Sequence, residues 1–143
     1  MYLSRLHISK FRVFDDITLY FKNGINILIG ENNSGKTAII DALRICLGCG
    51  KPDNFIYVQD GDLHVNPENP SEINTVIQFD LIFEFGDASI ERECFYDFIS
   101  QDKDNPDKQT IQLHLKFIQE NNGKKKYFKR IIWGLSLIHI SEP

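Results

Sequence analysis

Hydrophobic and polar residues roughly alternate along the start of the chain, with Leu3, Leu6, Ile8 and Phe11 set against Ser4, Arg5, His7, Ser9 and Lys10. The match to a period of two is imperfect, yet it predicts a strand over 2–10. Residues 14–16 read as a turn and 17–21 as a second strand. Residues 22–24 close a tight turn, because Asn23-Gly24 tolerates positive φ. The run Ile25-Asn26-Ile27-Leu28-Ile29 is short and apolar and stops at Gly30. It predicts a buried central strand, paired on both sides. Over 36–47 the period changes: Ala38, Ile39, Ala42, Leu43, Ile45 and Cys46 recur at helical spacing. Gly48 and Gly50 end this helix and Pro52 prevents its resumption.

The rest of the chain returns to strands. Residues 51–71 mix prolines and glycines with polar groups and predict a surface loop with some short structure. Residues 73–85 form a long β-branched and aromatic strand. Val76, Gln78 and Asp80 alternate there with Ile77, Phe79 and Leu81, so one face is expected to be covered. Residues 88–101 are expected to be helical and 102–108 to be a polar loop. Residues 110–119 and 125–133 read as two strands joined around Glu120-Asn121-Asn122-Gly123, a hairpin signal. No internal repeat is visible.

Composition narrows the class. The chain has 143 residues, 42% hydrophobic and 25% charged, which suits one globular domain with a sizeable core. Its 11 phenylalanines favour strands in the second half. A net charge of −4 argues against a chain built to coat nucleic acid, so any DNA contact needs a local patch. The one basic cluster is Lys124-Lys125-Lys126 with Lys129 and Arg130, beside Tyr127, Phe128 and Trp133. It reads either as a DNA-backbone patch or as a solvated hairpin turn. No apolar run approaches the ~20 residues of a membrane span. The alternating, charged N-terminus is not a signal peptide, and with three cysteines it implies a reducing cytoplasm. Cys46 and Cys49 match C-x-x-C, but without a second pair or a redox context they read as small apolar residues at a helix end.

One motif carries chemistry. Gly30, Glu31, Asn32, Asn33, Ser34, Gly35, Lys36 and Thr37 satisfy G-x-x-x-x-G-K-[ST] in full, between an apolar run and a helix. Glycines let the backbone curl so that successive N–H groups face phosphate oxygens. The helix N-terminus adds partial positive charge. Lys36 is expected to reach the β- and γ-phosphates of ATP, and the Thr37 hydroxyl is a hard oxygen suited to Mg²⁺. These eight residues are the candidate nucleotide site and Thr37 is the candidate metal ligand.

The loop interior, Glu31-Asn32-Asn33-Ser34, resembles the GENNSGKT loops of RecF-like and SMC-like ABC ATPases, and most closely those of OLD-family (overcoming-lysogenisation-defect) ATP-dependent endonucleases. The opening Leu6-His7-Ile8-Ser9-Lys10-Phe11-Arg12, the run Asn26-Ile27-Leu28-Ile29-Gly30 and the helix segment Ile39-Ile40-Asp41-Ala42-Leu43-Arg44 are similar to the same families. Asp62-Leu63-His64 is similar to an Asp-Phe-His stretch of OLD-like proteins, with Leu63 departing from it. The resemblance is firm over 1–50 and loose to about 85. It implies an α/β fold, the N-terminal lobe of an ABC-type P-loop NTPase, with a mixed sheet that has an antiparallel β portion. It implies ATP and Mg²⁺ as ligands, DNA as the parent's partner, and a parent that is a homodimer or higher oligomer. It also makes Arg12 a nucleotide-binding candidate, against the alternative of a solvated strand-end arginine.

Two features bound what this chain can do. ABC-type catalysis needs a paired carboxylate at the end of an apolar strand and a signature motif from the opposing subunit, and neither appears. Asp80 and Glu84 are single carboxylates in an alternating strand and are expected to face solvent. The lobe alone is therefore expected to be inactive. Its parent is expected to be an OLD-type endonuclease, whose acidic nuclease site would lie beyond Gly134, a RecF/SMC-like repair ATPase acting as a nucleotide-gated DNA clamp, or an unrelated effector ATPase that shares only the lobe. Residues 135–143, LSLIHISEP, resemble the translated end of a sequencing adaptor. The expected division is thus 1–134 as a truncated ATPase lobe and 135–143 as a non-native tail.

Overall fold

The computed structural model describes residues 1–31, 34–48, 57–86, 89–101, 108–134 and 138–140. Its frame is a seven-stranded sheet in which every pairing is antiparallel. The strands are β1 (Tyr2–Phe11), β2 (Phe14–Tyr20), β3 (Val76–Glu84), β4 (Ile99–Gln101), β5 (Gln109–Asn121), β6 (Lys126–Trp133) and β7 (Ile138–Ile140). The spatial order is β2-β1-β3-β5-β6-β7, with β4 pairing on β5. Helix α1 (Lys36–Leu47) follows β2, and a short helix α2 (Ser89–Cys94) precedes a 3₁₀ turn at Tyr96–Phe98.

Register explains the core. Leu6 sits opposite Leu81, Ile8 opposite Phe79, and Phe79 opposite Leu115, so one face of the central strands is a continuous apolar surface. Helix α1 contributes the buried residues Ala38, Ile39, Ala42, Ile45 and Cys46, which share a core cluster with that face. Phe79 lies edge-on between Phe11, at 5.1 Å between ring centroids, and Phe117, at 6.0 Å. Such edge-to-face pairs add to the area that the rings bury.

Several expectations held. Helix α1 spans the expected residues, and the long alternating strand and the hairpin around Gly123 are present, the glycine taking φ 89°. Others need correction. The expected helix over 88–101 is only α2, followed by the 3₁₀ turn and β4. The turn expected at 14–16 is strand, because the chain reverses earlier, at Arg12-Val13.

The largest correction concerns 25–29. This segment is neither a buried strand nor paired on two sides. It is in no strand, and Ile25, Ile27 and Ile29 are 94%, 78% and 90% exposed. A strand is buried by the strands that flank it, and among the described residues 25–29 pairs with no strand of the sheet.

Candidate functional site

The G-x-x-x-x-G-K-[ST] motif sits where an irregular segment turns into α1. Gly35 is the N-cap of the helix at φ 97° and ψ 9°, a left-handed conformation that glycine adopts without steric cost. A Cβ there would also run into the Phe14 ring and approach Val13, so the β1–β2 turn packs directly against the loop. At Gly30 a Cβ would come within 2.6 Å of the Ser34 hydroxyl. That hydroxyl donates to the Glu31 carbonyl at 2.6 Å, and the Ser34 N–H donates to the same carbonyl at 3.1 Å. The Lys36 ammonium folds back across the loop and donates to the Gly30 carbonyl. Thr37 is exposed on the first turn of α1, and that turn carries no acidic residue. Asn32 and Asn33 lie outside the described residues.

Arg12 is not a solvated strand-end residue. Its Nη1 donates to Asp41 of α1 at 2.5 Å, its Nε donates to Asp62 at 2.9 Å, and the guanidinium lies 4.8 Å from the centre of the Phe11 ring. Burial alone would disfavour its charge, but the hydrogen bonds to Asp41 and Asp62 outweigh that and raise its pKa. The backbone is locked here as well. The Arg12 N–H donates to the Asp62 carbonyl at 2.7 Å, and the His64 N–H donates to the Lys10 carbonyl at 3.1 Å. His64 Nδ1 donates to the Arg12 carbonyl at 2.7 Å. Lys10 and Arg12 have φ of 59° and 51°, unusual for residues with a Cβ.

A second polar cluster lies on the other face of the sheet, where His7, Asp80 and His114 occupy one row across β1, β3 and β5. Asp80 accepts from His7 Nδ1 at 2.7 Å, from His114 Nδ1 at 2.5 Å and from Gln78 Nε2 at 2.9 Å. Burial would raise the Asp80 pKa, but these donors outweigh it and hold the carboxyl at about 2. His7 Nε2 faces Asp16 at 2.8 Å. Burial opposes charge on that ring too, yet its bonds to Asp80 and Asp16 raise its pKa. His114 stacks on Trp133 at 5.2 Å. Asp80 and Glu84 therefore do not face open solvent as expected: their side chains are 18% and 17% exposed, and Glu84 pairs with Lys108 at 2.6 Å. The alternation located their face correctly, but cross-strand neighbours cover them. No group of three metal-ligating side chains occurs among the described residues. No described helix is long and apolar enough to cross a membrane.

The profile of an AAA domain family, AAA_23, matches residues 5–140. The chain belongs to this AAA domain family. Similar proteins include the DNA replication and repair protein RecF of Limosilactobacillus reuteri, 42% identical over 45 residues, or 32% of this chain and 12% of that protein. The DNA double-strand break repair Rad50 ATPase of Thermoplasma volcanium is 40% identical over 47 residues, 33% of this chain and 5% of that protein. The chain thus spans only a small part of the curated relatives' length. A solved structure described as "Structural biochemistry of ATP-driven dimerization and DNA stimulated activation of SMC ATPases" aligns over 97% of this chain and 72% of its own, with a TM-score of 0.61 and 17% identity. That likeness shows the fold, an ABC-type α/β P-loop lobe with an antiparallel sheet.

Sequence reasoning singled out the loop and Arg12 as candidates but missed the contacts that Asp41, Asp62 and His64 make with Arg12. All three stood in segments singled out for family likeness. Their contacts with Arg12 span 29 to 52 residues, which no local pattern reveals.

Proposed function

We propose that this chain is the nucleotide-binding lobe of a DNA-repair ATPase of the RecF, Rad50 and SMC kind, and that it holds Mg²⁺–ATP at Gly30 to Thr37. The observation that carries the proposal is the closed turn itself. Gly35 opens α1 in a conformation that needs glycine, Lys36 lies across the loop, and the first helical turn bears no carboxylate to repel phosphate. This set fits a polyphosphate: an ammonium, a helix N-terminus and one hydroxyl for a hard cation. Glu31, Asn32, Asn33 and Ser34 complete the loop.

A bound nucleotide would supply the transferable phosphoryl group and its metal. The chain's own residues would orient them and neutralise one side of their charge. Neither strand carboxylate, Asp80 nor Glu84, is free to activate water. Asp80 is held by two histidines, and Glu84 by Lys108 and Tyr2. The lobe alone is therefore expected to bind without turnover. Hydrolysis would require groups from a partner lobe, and the parent would act as a dimer on DNA.

The relatives' names, those of DNA-repair proteins, favour the RecF/SMC-like repair ATPase over the OLD-type endonuclease, which rests on the loop's wording and on Asp62-Leu63-His64. Residues 135–143 remain a proposed non-native tail, although 138–140 pair on β6.

Titration calorimetry with Mg²⁺–ATP tests the site. Lys36→Ala removes a charge-assisted contact and should weaken binding by roughly 10- to 100-fold. Equal affinity in wild type and Lys36→Ala would remove Lys36 from the site.

A further inference from the structure

Arg12 joins three parts of the chain that are distant in sequence. One is the β1–β2 turn on which it stands. The second is α1, through Asp41, and the third is the 60–64 segment, through Asp62. Asp41 lies four residues after Thr37, so it sits on the same face of α1 one turn along. The β1–β2 turn meets α1 twice, at Gly35 through Val13 and Phe14 and at Asp41 through Arg12. Those two points fix both the position and the rotation of the helix whose first residues are Lys36 and Thr37.

The far side of the clamp is just as well anchored. Asp62 accepts from Arg12 with one carboxylate oxygen and from the Gln59 N–H with the other. Leu63 bridges to Phe11, and His64 closes onto the Lys10 and Arg12 carbonyls. Left-handed conformations at Lys10 and Arg12 are unfavourable in isolation, so surrounding contacts must impose them. The segment that imposes them is 62–64.

Charge decides what Arg12 does there. One guanidinium sits between two carboxylates, with Arg44 3.8 Å from Asp41 on its outer side. Its positive charge is already matched, so moving it to a phosphate would break both contacts and leave Asp41 only Arg44 at 3.8 Å.

We infer that Arg12 is a positioning residue rather than a phosphate ligand: it locks the P-loop helix to the 60–64 segment, so that this segment sets nucleotide affinity without touching the nucleotide. The inference rests on the nucleotide site proposed above, and its test separates the two.

The sign of the effect is diagnostic. Asp41→Asn and Asp62→Asn are measured for Mg²⁺–ATP affinity in the full chain, beside Arg12→Lys and Lys36→Ala. A lock predicts weaker binding in both Asn variants, roughly 5- to 150-fold, the range of typical site-to-site coupling. Combined with Arg12→Lys, neither should weaken binding further, because lysine cannot fork to both carboxylates. A direct phosphate role predicts the opposite, since removing a competing carboxylate frees the guanidinium and tightens binding. Tighter or unchanged affinity in the Asn variants overturns the inference. Amide hydrogen exchange of Asp62→Asn without nucleotide gives an independent reading. Exchange over 35–39 should accelerate although the substitution lies more than twenty residues away, and unchanged exchange also overturns the lock. If the wild type shows no Lys36-dependent binding, the nucleotide site fails while the exchange result still decides the lock.

Discussion

Replacing Asp80 with Asn removes the one carboxylate that accepts from His7, His114 and Gln78 together. The consequence should appear in acid. The Asp80 carboxyl is lowered from 3.8 to about 2 in the folded chain. A carboxyl with a depressed folded pKa stabilises the fold above its unfolded pKa and loses that contribution as pH falls through the folded value. The gap of nearly two pKa units corresponds to about 2 kcal/mol present at pH 6 and mostly gone at pH 2. For a domain of this size about 1 kcal/mol moves the melting temperature by roughly 4 °C. Wild type should therefore melt above Asp80→Asn at pH 6, and the difference should shrink by about 8 °C by pH 2. Thermal melts followed by circular dichroism across pH 2–6 measure it. A difference that stays constant over that range would show that Asp80 has an ordinary pKa and that the histidine contacts do not hold it.

Three further outcomes follow from the packing and the loop. Gly35→Ala should abolish measurable Mg²⁺–ATP binding and cost about 1–3 kcal/mol in urea unfolding, because alanine is strained at φ 97° and its Cβ meets the Phe14 ring. Phe79→Ala empties the fully buried site between Phe11 and Phe117, and the expected loss is about 3–5 kcal/mol by the same assay. Ile27→Asp should change stability by less than about 0.5 kcal/mol, since that side chain is 78% exposed.

What was legible in the sequence follows from the range of the interactions involved. Helix α1 was readable to the residue because its apolar spacing is local and glycines stand at both ends. The β5–β6 hairpin was readable because Asn122-Gly123 and two alternating runs lie within 25 residues. The candidate loop could be picked out as a motif because its eight residues are contiguous. The reversal at Arg12-Val13 was not. It depends on left-handed residues held by a segment about fifty positions away, and Lys10 and Arg12 carry no turn signal of their own. The His7-Asp80-His114 row was also hidden. Alternation assigns each residue to a face, but only the register of β1 on β3 and of β3 on β5 makes them neighbours.

The segment 25–29 failed for a different reason. A strand is buried by its neighbours and not by its own composition. The isoleucines supply the surface that a two-sided strand needs, and Asn26 closes the preceding turn by accepting from the Lys22 N–H and donating to the Lys22 carbonyl. Among the described residues this segment nevertheless pairs with no strand, although β2 has a neighbour on one side only. Three isoleucines that are more than three-quarters exposed form an apolar surface beside the loop that holds Lys36, and such surfaces drive association. The Ile27→Asp variant separates the two accounts. If 25–29 were a buried central strand, a carboxylate at its middle would be desolvated and unpaired, and the loss would be several kcal/mol. If the surface is exposed, the same carboxylate stays hydrated: stability is unchanged, and self-association in sedimentation velocity falls. A large destabilisation would restore the central-strand reading and displace the exposed one.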